Sequence, residues 1–354
     1  MQRVTIIGLG LIGGSIGLGL RRWASDGGKR PATLEVIGFD IDLAHQQYAK
    51  KIHAVDRTVW RLSEALEQGD LIILATPVST FPELFHAIAD HAREGTVVTD
   101  TASTKAAVLN WAKTILPPTI PFVGGHPMAG KTQSIEGADA DLFQGATWCV
   151  SPLVTASETA IQTVLGLISA LGAEPLFIDP EEHDSYVAAI SHVPFLLAVG
   201  LMHTVSQDPA WRDIRKLTAS GFRDATRLAG GSPEMYRDIC ATNSQQIVRW
   251  LDRTITELSH LRDLIAQNTE EAQQELHQLF VSVRDARAEW ATQERRPGEL
   301  TQQTANELAS LSLGQQMQQM FLGSLFRRPR VDTRQSRQQP SQRRDDERAA
   351  EERS

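Results

Sequence analysis

A short apolar run at residues 4–7 leads directly into Gly8-Leu9-Gly10-Leu11-Ile12-Gly13, and a helix-length segment follows. A strand, a glycine-rich turn and a helix in that order give the GxGxxG pattern structural meaning. Gly8 permits the tight turn, Gly10 lets a pyrophosphate approach the backbone, and Gly13 lets helix and strand pack closely. The helix start then offers unpaired N–H groups to phosphate oxygens. The competing reading is a glycine-rich turn in some other α/β protein.

Further apolar runs at 34–39, 71–75, 96–99 and 120–123 alternate with helix-length segments. Short apolar runs spaced this way are strands buried on both faces of a parallel sheet, with crossover helices covering it. Residues 147–150 and 175–178 read as further, peripheral strands, with a helix over 157–171 that Gly172 can terminate. The expected fold class is α/β, with a dinucleotide-binding domain over 1–179 and an all-helical domain over 180–295. Residues 296–354 are expected to form a low-complexity tail, with a possible amphipathic helix at 300–326. The stretch 327–344 is rich in Arg and poor in apolar residues, so it reads as solvated chain. Nothing after 290 shows the alternating strands of an amino-acid-sensing domain.

The second strand ends at Asp40, twenty-seven residues past Gly13, where about twenty is usual. The Asp26-Gly27-Gly28 loop supplies the excess. A carboxylate there accepts from the ribose hydroxyls of NAD and repels the 2′-phosphate of NADP. NAD is therefore the expected cofactor, with Leu9, Leu11, Ile12, Thr76 and Pro77 beside it. Asp42 is a weaker candidate for the same role. Thr76-Pro77 and the segment from Asp100 to Lys105 follow strands, where chains deliver residues to the crevice. Ser103 can face that crevice or cap a helix starting near Ala106. His126 follows the fifth run in a glycine-rich loop. An imidazole on the nicotinamide side suits removal of a hydroxyl proton while a hydride departs.

The run at 187–202 is almost wholly apolar, and a helix apolar on nearly every side is buried on nearly every side. A neighbouring domain and a second subunit are the expected cover, so a homodimer is expected. The run is too short and interrupted to read as a membrane span. Residues 233–264 and 271–290 carry helical periodicity. A formal charge of −8 argues against general nucleic-acid or anionic-membrane binding, so an anionic substrate needs a local cluster of cations. Cys149 and Cys240 are the only cysteines. They form no disulfide framework or cysteine-built zinc site, no metal is expected, and a reducing compartment fits. No secretory-signal pattern opens the chain, and a cytoplasmic location is expected.

Taken together, Gly8 to Gly13, Asp100-x-x-Ser103-x-Lys105, Gly125-His126-Pro127-Met128-Ala129-Gly130, Ser191-His192-Val193-Pro194 and Gly221-Phe222-Arg223-Asp224-Ala225-Thr226-Arg227 resemble the prephenate and arogenate dehydrogenases of tyrosine biosynthesis. The resemblance spans roughly residues 1 to 290. It implies a Rossmann domain, a helical dimerisation domain and an active site between them. It also implies NAD-dependent oxidative decarboxylation of a cyclohexadienyl ring. In that frame His126 matches the catalytic base, Ser103 the serine that orients its contact, and Arg227 the substrate-binding arginine, with Arg223 second. Either arginine could instead pair with Asp224 or Asp238. His192 reads equally as a substrate ligand or a satisfied core histidine. Many members carry a second histidine where this chain has Phe195, which leaves prephenate against arogenate open. Two other readings compete. A β-hydroxyacid dehydrogenase would need a lysine on the interdomain helix, and 183–207 has none. A non-catalytic NAD-binding module would have no use for Ser103, His126 and Arg227 together.

Overall fold

In the computed structural model, residues 2–25, 34–131 and 133–294 are described. The Asp26-Gly27-Gly28 loop, the expected helix at 300–326 and the Arg-rich tail lie outside them.

The most apolar runs become the centre of one eight-stranded sheet. Its strands are β1 Gln2–Ile7, β2 Leu34–Phe39, β3 Arg57–Thr58, β4 Leu71–Leu74, β5 Val97–Asp100, β6 Phe122–Pro127, β7 Thr147–Pro152 and β8 Glu174–Phe177. Their spatial order is β3-β2-β1-β4-β5-β6-β7-β8. All residues of β4 and β5 are buried, as covered central strands require. Adjacent strands run parallel except β6 and β7, which are antiparallel with His126 opposite Cys149. The order reverses between β1 and β4, and at that switch point a crevice opens beyond the strands' carboxyl ends.

Helices α1 Leu11–Ser25, α2 Leu43–Lys51, α3 Leu62–Gln68, α4 Phe81–His91, α5 Ala106–Ile115 and α6 Glu158–Ala170 cover the sheet. One face is sealed by α1 and α6 through Ile16, Leu20, Ile161 and Val164. The other is sealed by α3, α4 and α5 through Leu66, Phe85, Ile88 and Val108. The side chain of Ser157 caps α6 by accepting the Ala160 N–H. The helix ends at Gly172, where φ is +73°.

After β8 every described element is helical: α7 Pro180–Val187, α8 Val193–Ser206, α9 Trp211–Ile214, α10 Ser220–Thr226, α11 Pro233–Thr242, α12 Ser244–Gln267 and α13 Glu270–Glu294. Asp179 caps α7, accepting the N–H groups of Glu181 and Glu182, with Pro180 in the first turn. Between α7 and α8 lies a π-helical turn, Ala188–His192, closed by the Val193 N–H donating to the Ala188 carbonyl. Pro194 explains the wide turn, because it has no N–H for the usual helical bond and its ring crowds the preceding turn. The whole run Pro180–Ser206 is long and apolar enough to cross a membrane by length and composition alone.

The expected all-round burial of the 187–202 run is not reached within one chain. Leu197, Val199 and Leu201 are exposed, and the buried cluster of this part is small: Ala188, Phe195, Ile239 and Ile247.

Candidate active site

The glycine turn has the geometry a dinucleotide needs. Gly8 sits at φ +94°, and a Cβ there would lie 2.5 Å from the Ala75 carbonyl oxygen. A Cβ on Gly13 would come within 1.9 Å of the Gly8 oxygen, whereas at Gly10 nothing lies within 4 Å. The turn is therefore closed on the protein side and open where a pyrophosphate would approach. No acidic residue occupies the first turn of α1, so its positive end is left to an anion. Leu9 is buried while Leu11 and Ile12 are half-buried.

Asp40 stands just beyond β2 and ties the turn down. Its carboxylate accepts the Leu9 N–H at 2.7 Å and the Asp42 N–H at 2.8 Å. A carboxylate has about four acceptor sites, so ribose hydroxyls can still be served. Asp42 instead caps α2 by accepting the Ala44 N–H. At the end of β4, the Thr76 and Thr80 hydroxyls share a hydrogen bond of 2.8 Å, and Pro77 opens the short turn Val78–Thr80.

At the end of β5 lies a fully buried ion pair, Asp100 with Lys105. The Asp100 carboxylate also accepts the Gly125 N–H and the Ala102 N–H, both at 2.9 Å. This pair fixes β5 to the strand that carries His126. The histidine is buried at the carboxyl end of β6, and its Nδ1 lies 2.9 Å from Nε2 of His183. His183 Nδ1 in turn lies 2.8 Å from the Asp184 carboxylate. Burial first, then the nearby His183, Lys105 and His192, hold the His126 imidazole well below its ordinary value near 6.5. Such a ring is neutral, and therefore basic, at physiological pH.

Asp184 does further work. It accepts the N–H groups of Lys105 at 2.7 Å and Ala106 at 3.0 Å, capping α5 from a different part of the chain. This overturns the capping alternative for Ser103, which is half-buried and makes no hydrogen bond among the described residues. The hydrogen-bond partner of His126 is His183, and Ser103 makes no hydrogen bond to it. His192 is fully buried, and its Nδ1 lies 3.2 Å from the Asn243 amide nitrogen. The same nitrogen donates to the Asp184 carbonyl. Burial pushes the His192 imidazole down to about 4, opposed by Asp184 and reinforced by His183. Its Nε2 has no partner among the described residues.

The structure therefore gathers His126, His183, Asp184, Asn243 and His192 in one hydrogen-bonded group. The arginines stand apart from it. Arg223 in α10 and Arg227 just after it are exposed and form no ion pair among the described residues. The surface pairing weighed for them is not present, since Asp238 bonds Arg237 and the Ser79 N–H instead. Phe195 is buried and stacks on Tyr236 with ring centroids 3.9 Å apart. Sequence reasoning missed His183, Asp184 and Asn243. The one available signal was Asp179-Pro180, a helix start that places His183-Asp184 in the first turns.

Two family models match the chain: Prephenate dehydrogenase, nucleotide-binding domain, over residues 24–176, and Prephenate dehydrogenase, dimerization domain, over 179–282.

The chain belongs to the prephenate dehydrogenase family.

A prephenate dehydrogenase of Bacillus subtilis (strain 168) is 33% identical over 290 residues, covering 80% of this chain and 75% of that protein. The crystal structure of prephenate dehydrogenase from Aquifex aeolicus with hydroxyphenyl propionate and NAD+ superposes with a TM-score of 0.73 at 29% identity. The match covers 82% of this chain and 98% of that one. Synechocystis arogenate dehydrogenase gives 0.66 at 27% identity, over 82% and 100% of the two chains. The chain is accordingly an NAD-dependent, decarboxylating oxidoreductase, with a Rossmann-like nucleotide-binding domain followed by a helical dimerisation domain. The nucleotide-binding match starts after the Gly8–Gly13 turn, so the assignment of that turn rests on its geometry.

Proposed function

We propose that this chain oxidises and decarboxylates prephenate to 4-hydroxyphenylpyruvate, with His126 as general base. One observation carries the reading: a buried imidazole, held neutral, sits at the carboxyl edge of the sheet with Nδ1 engaged by His183 and Nε2 unbonded among the described residues. NAD, held there, would supply the acceptor for the hydride of the ring carbon bearing the hydroxyl. His126 Nε2 takes the proton of that hydroxyl as the carbonyl forms. The ring carboxylate then leaves as carbon dioxide, its bonding electrons make the ring aromatic, and the new phenolate oxygen recovers the proton. Gly8 to Gly13, Asp40, Thr76 and Pro77 hold the cofactor. Arg227, with Arg223 as second choice, is exposed, forms no ion pair among the described residues and can take a substrate carboxylate bidentately. Ser103, half-buried just past β5 and without a hydrogen bond among the described residues, would be the hydroxyl that orients this contact. The buried Nε2–H of His192 lacks an acceptor, and leaving such a donor unmet costs about 1–3 kcal/mol, so it suits a substrate oxygen.

A second reading is arogenate oxidation, favoured by Phe195, which fills the expected histidine position with an apolar ring packed on Tyr236. The test is to mix the full chain with NAD and prephenate, then with arogenate, and follow NADH. Prephenate is expected to be the better substrate. With NADP, kcat/KM falls at least tenfold, about 1.4 kcal/mol of discrimination. Equal use of both cofactors removes Asp40 from the ribose contact. No NADH from either substrate leaves the binding-module reading in place.

We further place the boundary between the two working parts at 179/180 and the enzyme in the cytoplasm as a homodimer. The dimer is supported by exposed apolar side chains along α8, α12 and α13, among them Leu197, Ile255, Leu258 and Phe280, since surfaces of that kind mark interfaces. Light scattering at working concentration is expected to return twice the chain mass of 39.0 kDa; a monomer contradicts the assignment.

A further inference from the structure

The hydrogen-bonded chain behind His126 determines which of its nitrogens can be basic. An ionised carboxylate only accepts hydrogen bonds. Asp184 already receives the N–H groups of Lys105 and Ala106, so His183 Nδ1, 2.8 Å away, must carry a hydrogen toward it. A neutral imidazole has one N–H. His183 Nε2 is then a lone pair, and His126 Nδ1, 2.9 Å from it, must be the donor. The lone pair of His126 is left on Nε2.

We propose that His183, oriented by Asp184, is a positioning residue that fixes the tautomer and orientation of His126 so that its basic lone pair stays on Nε2. This rests on the reading of His126 as the base. The logic parallels catalytic triads, where a carboxylate sets the tautomer of the working imidazole; here a second imidazole stands between the two. The arrangement also explains the separation along the sequence. His126 closes a strand of the nucleotide-binding fold and His183 opens the helical part, so the base is correctly set only when the two parts are docked.

The test uses the full chain, labelled with 15N at histidine, without cofactor or substrate. The His126 ring is expected to show a protonated Nδ1 and a lone pair on Nε2 at pH 8. A protonated Nε2 in the wild-type spectrum overturns the proposal without any variant. His183→Phe is expected to give mixed tautomers at His126 and to lower kcat about 100-fold, with KM for substrate and NAD within about threefold. His183→Gln, whose side-chain oxygen can accept from His126 Nδ1, is expected to restore kcat to within about tenfold of wild type. If His183→Phe does not fold, the wild-type spectrum and the Gln variant decide. Asp184 is a poorer target because it also caps α5. If His126→Asn is inactive while His183→Phe keeps full turnover, the positioning role fails and the base stands. If His126→Asn is itself fully active, the base reading fails first.

Discussion

His126→Asn lowers turnover by about two to four orders of magnitude, the usual contribution of a general base, while NAD affinity moves by less than about threefold. The reason lies in the neighbourhood of the ring. Asparagine can still reach toward His183, so the local packing at the end of β6 survives, but an amide cannot take the hydroxyl proton. The group is buried and kept neutral, so wild-type activity is expected to persist as pH falls to about 6.5 and to fail only in more acid solution, as Nε2 becomes protonated. The contributors to that low proton affinity, His183, Lys105 and His192, all remain in the variant, so the lost rate reports the base alone. The nucleotide turn lies on β1 and α1, away from β6, which is why cofactor binding is spared. Stopped-flow NADH formation and cofactor titration separate the two quantities, and unchanged turnover removes His126 from the chemistry.

Lys105→Met destabilises the fold by about 3–5 kcal/mol, the usual penalty for leaving one member of a buried ion pair unpaired. Lys105 and Asp100 are both wholly buried. Without the ammonium, the Asp100 carboxylate keeps only the Ala102 and Gly125 N–H groups. Net stabilities of natural domains are about 5–15 kcal/mol, so a loss of this size removes a large share. The double variant Asp100→Asn/Lys105→Met recovers part of it, because a neutral amide is far cheaper to bury than an unpaired charge. Urea denaturation followed by circular dichroism measures both. A loss below about 1 kcal/mol for the single variant would show that the pair is not the clamp its burial suggests. Lys105 belongs to the motif shared with the family, yet its place in the structure is under the site rather than in it.

Much of the nucleotide-binding part was legible because its physics is local. The strands are apolar runs, the turn is three glycines at fixed spacing, and α6 announces its stop at Gly172. What escaped is also instructive. Strand β3 is only Arg57–Thr58, too short and polar to register as a period. The antiparallel setting of β7 depends on its neighbour and has no local signature. The break between α11 and α12 falls at Asn243, inside a run with unbroken helical periodicity, and its reason is tertiary: the amide is committed to Asp184 and His192. The same holds for the site. His126 stands out by its loop and motif, but its partner is 57 residues away, and no spacing rule connects them. Ser103 fits two local roles by sequence, but the start of α5 is capped by Asp184, 79 residues from Lys105.

The wide turn at Ala188–His192 also sets a phase. An α-helix advances about 100° per residue, so deleting one residue there would rotate everything downstream through more than a quarter circle. The inward-facing imidazole of His192 closes that turn, and the exposed Leu197 and Leu201, about one helical turn apart, follow it on α8. Chain-length changes at this point would therefore misalign the His192 imidazole and the exposed Leu197 and Leu201 relative to each other, making the joint a position where insertions and deletions are far less tolerable than substitutions.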